Sequence, residues 1–325
     1  MSSFKTLTSF KVPNGTSELL GFELSFFKKE SWFSKPKGII FFIHGFNSSG
    51  HIWGTDTDDF ISLALKNHFI PYAIEFSDSF GGSLISLANY DLAYSFNYIL
   101  ETLKPVFSSN KFPNIHFVAH SMGGIILRYF LSTIFSHPNH SIEELKKLPL
   151  TSVALLSVPN HGMSKANSER FIKRLEKLVV EINAYSPKKY GLHLPENHFY
   201  QLLSGNNIFQ GFFNDLSTNM WPELYWMNFI AERDIVVERK SSYFEPEEIE
   251  FLGTNFFQKE YDATHMRNPL ESFTDSLKGK ISFFDTKIIP KIEDSKLNFL
   301  GYLIKGPIYT NKELISDYFS HLTSL

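Results

Sequence analysis

The sequence predicts an α/β fold built on a mostly parallel, doubly wound sheet with helices on both faces. Short apolar segments with strand character, such as residues 39–43 and 152–158, alternate with longer helical patterns such as 84–103. In addition, a strand predicted at 115–119 runs directly into a helical pattern at 125–131. Strands and helices in alternation are typical of parallel sheets whose crossover connections are helical.

The N-terminal part of the chain supplies the edge and the first half of this sheet. Residues 4–12 and 19–28 are predicted to be two strands that are joined by a turn at 13–15 and form an antiparallel edge. A helix around 58–67 and a strand at 70–76 follow the first core strand. The alternation of strand and helix after the antiparallel edge is the one expected of a doubly wound sheet.

The second half of the chain interrupts the core with an insertion. We expect residues 1–162 and 223–275 to form the two parts of the core, and 163–222 to form a helical cap. Within the cap, 170–184 has one apolar face; this face either packs over the core or acts as a lid that meets a lipid interface. Residues 276–325 form a C-terminal extension for which the sequence suggests no role.

Composition excludes several classes of protein. The 325 residues, 43% of them hydrophobic, are enough for one large core, and a net charge of −3 without a basic block argues against nucleic acid as a partner. The chain has no cysteine, so it has no disulfide framework. Its first ten residues do not resemble a secretory signal, and no apolar stretch approaches the ~20 residues of a membrane span. We therefore expect a cytoplasmic protein, either soluble or peripheral to a membrane.

A serine lies at the joint between the predicted strand and helix. Ser121 is flanked by small residues, Ala119, Gly123 and Gly124, which let the backbone turn sharply. Such a turn lifts the hydroxyl out of the sheet and places the amide of Met122 at a helix N-terminus. Unpaired amides there stabilise a developing negative charge. These features are those of a nucleophile with one oxyanion donor.

The stretch Ala119-His120-Ser121-Met122-Gly123 resembles the nucleophile elbow of the α/β-hydrolase family, Gly-x-Ser-x-Gly, with alanine at the first position. The resemblance covers about residues 20–275 and implies an α/β-hydrolase fold with a helical cap and a lipase-like serine esterase activity. It also extends to the pair His44-Gly45 after the first core strand. By that resemblance the amide of Phe46 completes the oxyanion hole beside Met122, and His44 braces the loop.

The resemblance also suggests an acid. Asp234 follows the strand predicted at 224–231, and an aspartate before an apolar pair is usual at this position of the family. Glu232 is the alternative acid. The carboxylate would accept a hydrogen bond from the catalytic histidine and hold its tautomer.

The base has to follow the acid in the chain order of this family, so only His265 and His321 qualify. His265 comes directly after the strand predicted at 255–261, whereas His321 lies near the end of the chain. We therefore predict His265 as the general base. Asp262 lies close to it and competes with Asp234 as its partner.

The predicted function is hydrolysis of carboxylic esters of acyl or lipid substrates through Ser121, His265 and Asp234. We expect no cofactor and no metal. Besides the ester substrate, the expected partner is a membrane surface or lipid interface that the protein contacts peripherally. Thioesterases, amidases and acyltransferases use the same triad, so they remain alternatives, as does a hydrolase fold reused as a noncatalytic scaffold.

Overall fold

The structure is a computed structural model of the 325-residue chain. It describes residues 8–11, 18–21, 36–45, 48, 50–54, 58–76, 85–103, 113–133, 148–164, 169, 173, 217, 221–234, 236–265 and 308–325.

Within these residues eight strands form one sheet, in the order β1-β2-β4-β3-β5-β6-β7-β8. The strands are β1 Thr8–Lys11, β2 Glu18–Gly21, β3 Gly38–Ile43, β4 Phe69–Glu75, β5 Asn114–His120, β6 Leu150–Leu156, β7 Tyr225–Ala231 and β8 Phe256–Tyr261. The six strands from β4 across to β8 are parallel, while β1 pairs with β2 and β2 with β4 in antiparallel fashion. The mostly parallel sheet with an antiparallel N-terminal edge confirms the fold that the sequence predicts.

Six α-helices flank the sheet in the described part of the chain. They are α1 Phe60–Lys66, α2 Ile85–Leu103, α3 Met122–Thr133, α4 Arg239–Ser242, α5 Pro246–Leu252 and α6 Lys312–Ser324. The first three agree with the predicted helical patterns, whereas the last three were not predicted. Most of the predicted cap, including its helix at 170–184, lies outside the described residues. In the described helices, no segment is both long and apolar enough to cross a bilayer.

The central strands are apolar on both faces because helices cover both sides of the sheet. All six residues of β3 are buried. On one face Phe41 contacts Phe96 and Phe117, with ring centroids 5.3 and 5.6 Å apart, respectively. Burial of a phenylalanine side chain contributes about 1.5–3 kcal/mol. Aromatic side chains therefore fill part of this core.

The C-terminal residues 308–325 pack against the core as well. Helix α6 is capped by Asn311, whose side-chain oxygen accepts a hydrogen bond from the amide of Leu314 at 3.0 Å. Its apolar face is buried, and Tyr318 contacts Phe60 of α1 with ring centroids 5.5 Å apart. The described end of the extension is thus joined to the helix layer that covers β3.

His116 lies in the middle of the sheet. His116 on β5 is 1% exposed, and its Nδ1 shares a hydrogen bond with the hydroxyl of Ser152 on β6 at 2.9 Å. The ring of Phe69 packs edge-on against it. Burial lowers the pKa of His116 to about 3, because the apolar surroundings disfavour the charged ring.

This shift predicts a loss of stability in acid. The unfolded chain protonates His116 near pH 6.5 and the folded chain near pH 3. The contribution of His116 to the free energy of unfolding is therefore complete above about pH 6.5. Between these values stability should fall with decreasing pH by up to ~1.4 kcal/mol per pH unit. His116→Asn retains a nitrogen at the position of Nδ1 and removes the titration, so urea unfolding from pH 7 to 4 should show a shallower decline.

The matched control is His68→Asn. His68 is exposed and already has a left-handed backbone (φ 67°), which asparagine tolerates. The control should reproduce the wild-type slope; a wild-type slope in His116→Asn would contradict the assignment.

Candidate active site

The serine turn connects the central strand β5 to helix α3. Ser121 has φ of +54°, a left-handed conformation that costs a non-glycine residue about 1–3 kcal/mol. Its amide donates to the carbonyl of Leu156 on β6 at 2.9 Å, and its carbonyl accepts from the amide of Gly124 at 3.0 Å. The sheet and the helix therefore hold this residue from both sides.

The glycines that follow the serine are required by close packing. A Cβ on Gly123 would lie 2.5 Å from the carbonyl oxygen of His44, which belongs to the backbone at the end of β3. A Cβ on Gly124 would lie 2.2 Å from Cγ2 of Val158. Only glycine lets the first turn of α3 approach these groups. This agrees with the small residues expected around the joint.

The structure brings together the serine, the histidine and the aspartate that the sequence predicts. Ser121 Oγ lies 2.8 Å from His265 Nε2, and His265 Nδ1 lies 2.6 Å from Asp234 Oδ2. The side chains of His265 and Asp234 are each 1% exposed. Because the aspartate accepts from Nδ1–H, Nε2 is left to accept the serine proton. The arrangement can activate the hydroxyl as a nucleophile.

The aspartate is held by its own loop. Asp234 Oδ1 accepts hydrogen bonds from the amides of Val236 and Val237, both at 2.8 Å. These bonds leave Oδ2 directed at the histidine. They also compensate the removal of the carboxylate from water, because a buried charge needs hydrogen-bond partners.

The alternative residues lie in other contacts. Asp262 forms an ion pair with Arg233 at 2.8 Å, and Glu232 is exposed. His321 on α6 lies 3.3 Å from the hydroxyl of Tyr225. None of these contacts involves the hydroxyl of Ser121.

The oxyanion donors are described in part. Met122 is the first residue of α3, so its amide has no acceptor within the helix. Phe46, the other predicted donor, lies outside the described residues. His44 Nδ1 donates to the carbonyl of Gly45 at 2.8 Å, which supports the predicted bracing of the loop. Further along the same loop the amide of Gly50 donates to the Glu75 carboxylate at 2.5 Å, an anchor that the sequence did not suggest.

A buried arginine joins the serine helix to the far end of the sheet. Arg128 on α3 is fully buried and donates to Glu248 on α5 at 2.5 Å, to Asn160 at 3.2 Å and to Ser217 at 3.1 Å. Its guanidinium also lies over the ring of Phe244, 5.0 Å from the centroid. The sequence carries a signal for this cluster, because a charged residue occurs in an otherwise apolar helix.

Metal binding finds no support in the described part of the chain. There, no group of three or more histidine, aspartate or glutamate side chains is arranged to hold an ion.

The parallel sheet and the serine turn define an α/β-hydrolase, in which the serine follows β5, the aspartate follows β7 and the histidine follows β8. Residues 34–185, from before β3 to beyond the serine helix, match the family model described as "Putative serine esterase (DUF676)". The chain is a carboxylic-ester hydrolase.

Solved structures with a similar fold are distant in sequence. An esterase from Pyrococcus furiosus is 18% identical, with 77% of this chain and 80% of that chain covered and a TM-score of 0.42. A carboxylesterase structure from Nitrososphaera gargenis is 14% identical, covering 87% and 99%, with a TM-score of 0.44. A siderophore hydrolase from Aspergillus fumigatus is 11% identical, covering 90% and 99%, with a TM-score of 0.47. No curated protein matches the sequence.

The arginine cluster predicts a large effect of breaking one ion pair. Arg128→Met leaves the carboxylate of Glu248 buried without its partner, which should lower the free energy of unfolding by about 3–5 kcal/mol. The double variant Arg128→Met/Glu248→Gln should recover part of this loss, because it removes the buried charge while the amide oxygen can still accept from the amide of Glu245 at the start of α5. Urea unfolding at pH 7 measures both.

An exposed ion pair provides the control. Arg239 pairs with Glu260, and the arginine side chain is 59% exposed. Arg239→Met should therefore cost no more than about 1 kcal/mol. Equal decreases in the free energy of unfolding in Arg128→Met and Arg239→Met would show that the buried ion pair is no more important for stability than the exposed one.

Proposed function

We propose that Ser121, His265 and Asp234 form the catalytic triad of this esterase, and that its substrates are acyl or lipid esters. The observation that carries the proposal is the continuous pair of hydrogen bonds through His265, 2.8 Å to Ser121 and 2.6 Å to Asp234. Both distances lie in the range needed for proton transfer and orientation.

The first half of the reaction forms an acyl-enzyme. His265 Nε2 takes the proton of Ser121 while Oγ attacks the ester carbonyl, and the amide of Met122, with that of Phe46, stabilises the oxyanion. When the tetrahedral intermediate collapses, the bond to the alcohol oxygen breaks. The imidazolium gives its proton to that oxygen, and the alcohol leaves.

The second half returns the enzyme to its resting state. Water replaces the alcohol, His265 takes one of its protons, and the hydroxide attacks the acyl-serine carbonyl. Collapse releases the carboxylic acid, and Ser121 regains a proton from His265. Asp234 holds the ring throughout and stabilises its positive charge.

The choice of an acyl or lipid substrate is supported by the sequence of the inserted segment. Acyl chain and leaving group are selected by the cap and loops of such folds rather than by the triad. Here the insertion at 163–222 contains an amphipathic pattern at 170–184 and an aromatic segment at 208–213. A lid with one apolar face is a means of binding a long acyl chain or a lipid interface.

The test is hydrolysis of p-nitrophenyl esters from acetyl to palmitoyl by wild type and Ser121→Ala, with and without detergent micelles. We expect turnover that is lost by a factor of at least ~10³ in Ser121→Ala, because the nucleophile is removed. A preference for long chains that increases with micelles would support the lid.

Two other outcomes would change the proposal. Full activity in Ser121→Ala would exclude the triad. A short-chain optimum that is insensitive to micelles would exclude the lipid substrate while keeping the serine mechanism.

A further inference from the structure

The loop that carries His265 is fixed through three successive peptide carbonyls. The carbonyl of Ala263 accepts from the amide of Arg233 at 3.1 Å, and that of Thr264 accepts from the amide of Ile308 at 2.8 Å. The carbonyl of His265 itself accepts from Nε2 of His120 at 2.9 Å. The three donors come from the acid loop, the C-terminal segment and the serine turn, so three other described parts of the site hold this loop.

Among these three donors His120 is the one that donates from its side chain. It directly precedes Ser121 and is 3% exposed, and its ring centroid lies 4.8 Å from that of His265. A bond to a carbonyl oxygen requires the proton on Nε2. Its Nδ1 has no hydrogen-bond partner among the described residues, so the bond to His265 is the polar contact that its ring makes there.

The protonation state of His120 suits this role. Burial holds the pKa of His120 well below its ordinary value, and the neighbouring His265 lowers it further. The ring therefore stays neutral while it donates from Nε2. A neutral donor adds no repulsion when His265 becomes an imidazolium during the reaction.

The C-terminal segment closes the other side of His120. The ring of Tyr309 lies edge-on to that of His120, with centroids 5.2 Å apart, and it also contacts Trp53 at 6.5 Å. Tyr309 is 8% exposed. It follows Ile308, whose amide binds the carbonyl of Thr264. Two adjacent residues thus contact the histidine loop, one directly and one through His120.

We propose that His120 is a positioning residue that fixes His265 between Ser121 and Asp234, and that Tyr309 holds the ring of His120 for this purpose. The inference rests on the proposed function of Ser121 and His265. It gives the described part of the C-terminal extension a role in catalysis, because residues 308 and 309 complete the support of the general base.

The experiment compares His120→Phe, His120→Gln and Tyr309→Leu with wild type and Ser121→Ala. Phenylalanine keeps the ring volume and loses the donor, whereas the amide of glutamine can place a donor near Nε2. Measurements are kcat and KM on a p-nitrophenyl ester, with active sites titrated by a fluorophosphonate, the pH profile of kcat/KM, and Tm.

We expect His120→Phe to lower kcat about 10–100-fold with KM within about twofold, since a misplaced base slows the chemistry more than binding. His120→Gln should recover kcat to within about fivefold of wild type, and Tyr309→Leu should lower it about 3–10-fold. The pH profile of kcat/KM should also change in His120→Phe, because a looser ring keeps its hydrogen bond to Asp234 for less of the time.

A histidine outside the site is the matched control. His321 packs against Phe257, with ring centroids 4.2 Å apart, so His321→Phe tests the loss of a packed histidine elsewhere. It should change Tm without changing kcat per active site or the pH profile.

The outcomes separate the two proposals. If Ser121→Ala retains activity, the proposed function fails. If Ser121→Ala is inactive while His120→Phe changes only Tm, as a structural residue would, the positioning role is overturned. If His120→Phe does not fold, the decision rests on Tyr309→Leu. An unchanged kcat in Tyr309→Leu would overturn the role assigned to Tyr309, and a near-wild-type kcat in His120→Gln is the rescue that the proposal expects.

Discussion

The left-handed backbone of Ser121 is the constraint on which the rest of the site depends. A serine adopts this conformation at a cost, so the surrounding structure has to define it from several directions. The buried strand β5, the carbonyl of Leu156 and the close contact of Gly123 with the end of β3 do so. With the turn fixed, its hydroxyl stands at the carboxyl edge of the sheet, where the loops after β7 and β8 bring the acid and the histidine.

Much of this arrangement could be predicted from local sequence. The apolar strand before Ser121 and the small residues after it indicate a sharp strand-to-helix turn without knowledge of any distant contact. The resemblance to the α/β-hydrolase family, with its chain order of serine, acid and histidine, then restricts the base to a histidine late in the chain, and its position directly after a strand distinguishes His265 from His321. The parallel sheet follows from the same alternation of strands and helices, and the structure confirms it.

The remaining features depend on contacts between distant residues. Spacing alone does not separate Asp234 from Asp262; in the structure Asp234 bonds to His265, whereas Asp262 pairs with Arg233. The bond from His120 to His265 joins residues 145 positions apart, so no local pattern reveals it. Helix α4 has only four residues, too few to show a period. Helix α5 did carry a readable signal, a proline at its start and a capping box.

The most direct test of the account is covalent labelling with a fluorophosphonate, followed by mass spectrometry to locate the adduct. An activated serine reacts with this probe, whereas an ordinary serine does not. We predict one phosphonyl group on Ser121, with a labelling rate that collapses in His265→Gln. An adduct at another residue, or labelling of Ser121 that is unchanged in His265→Gln, would contradict it.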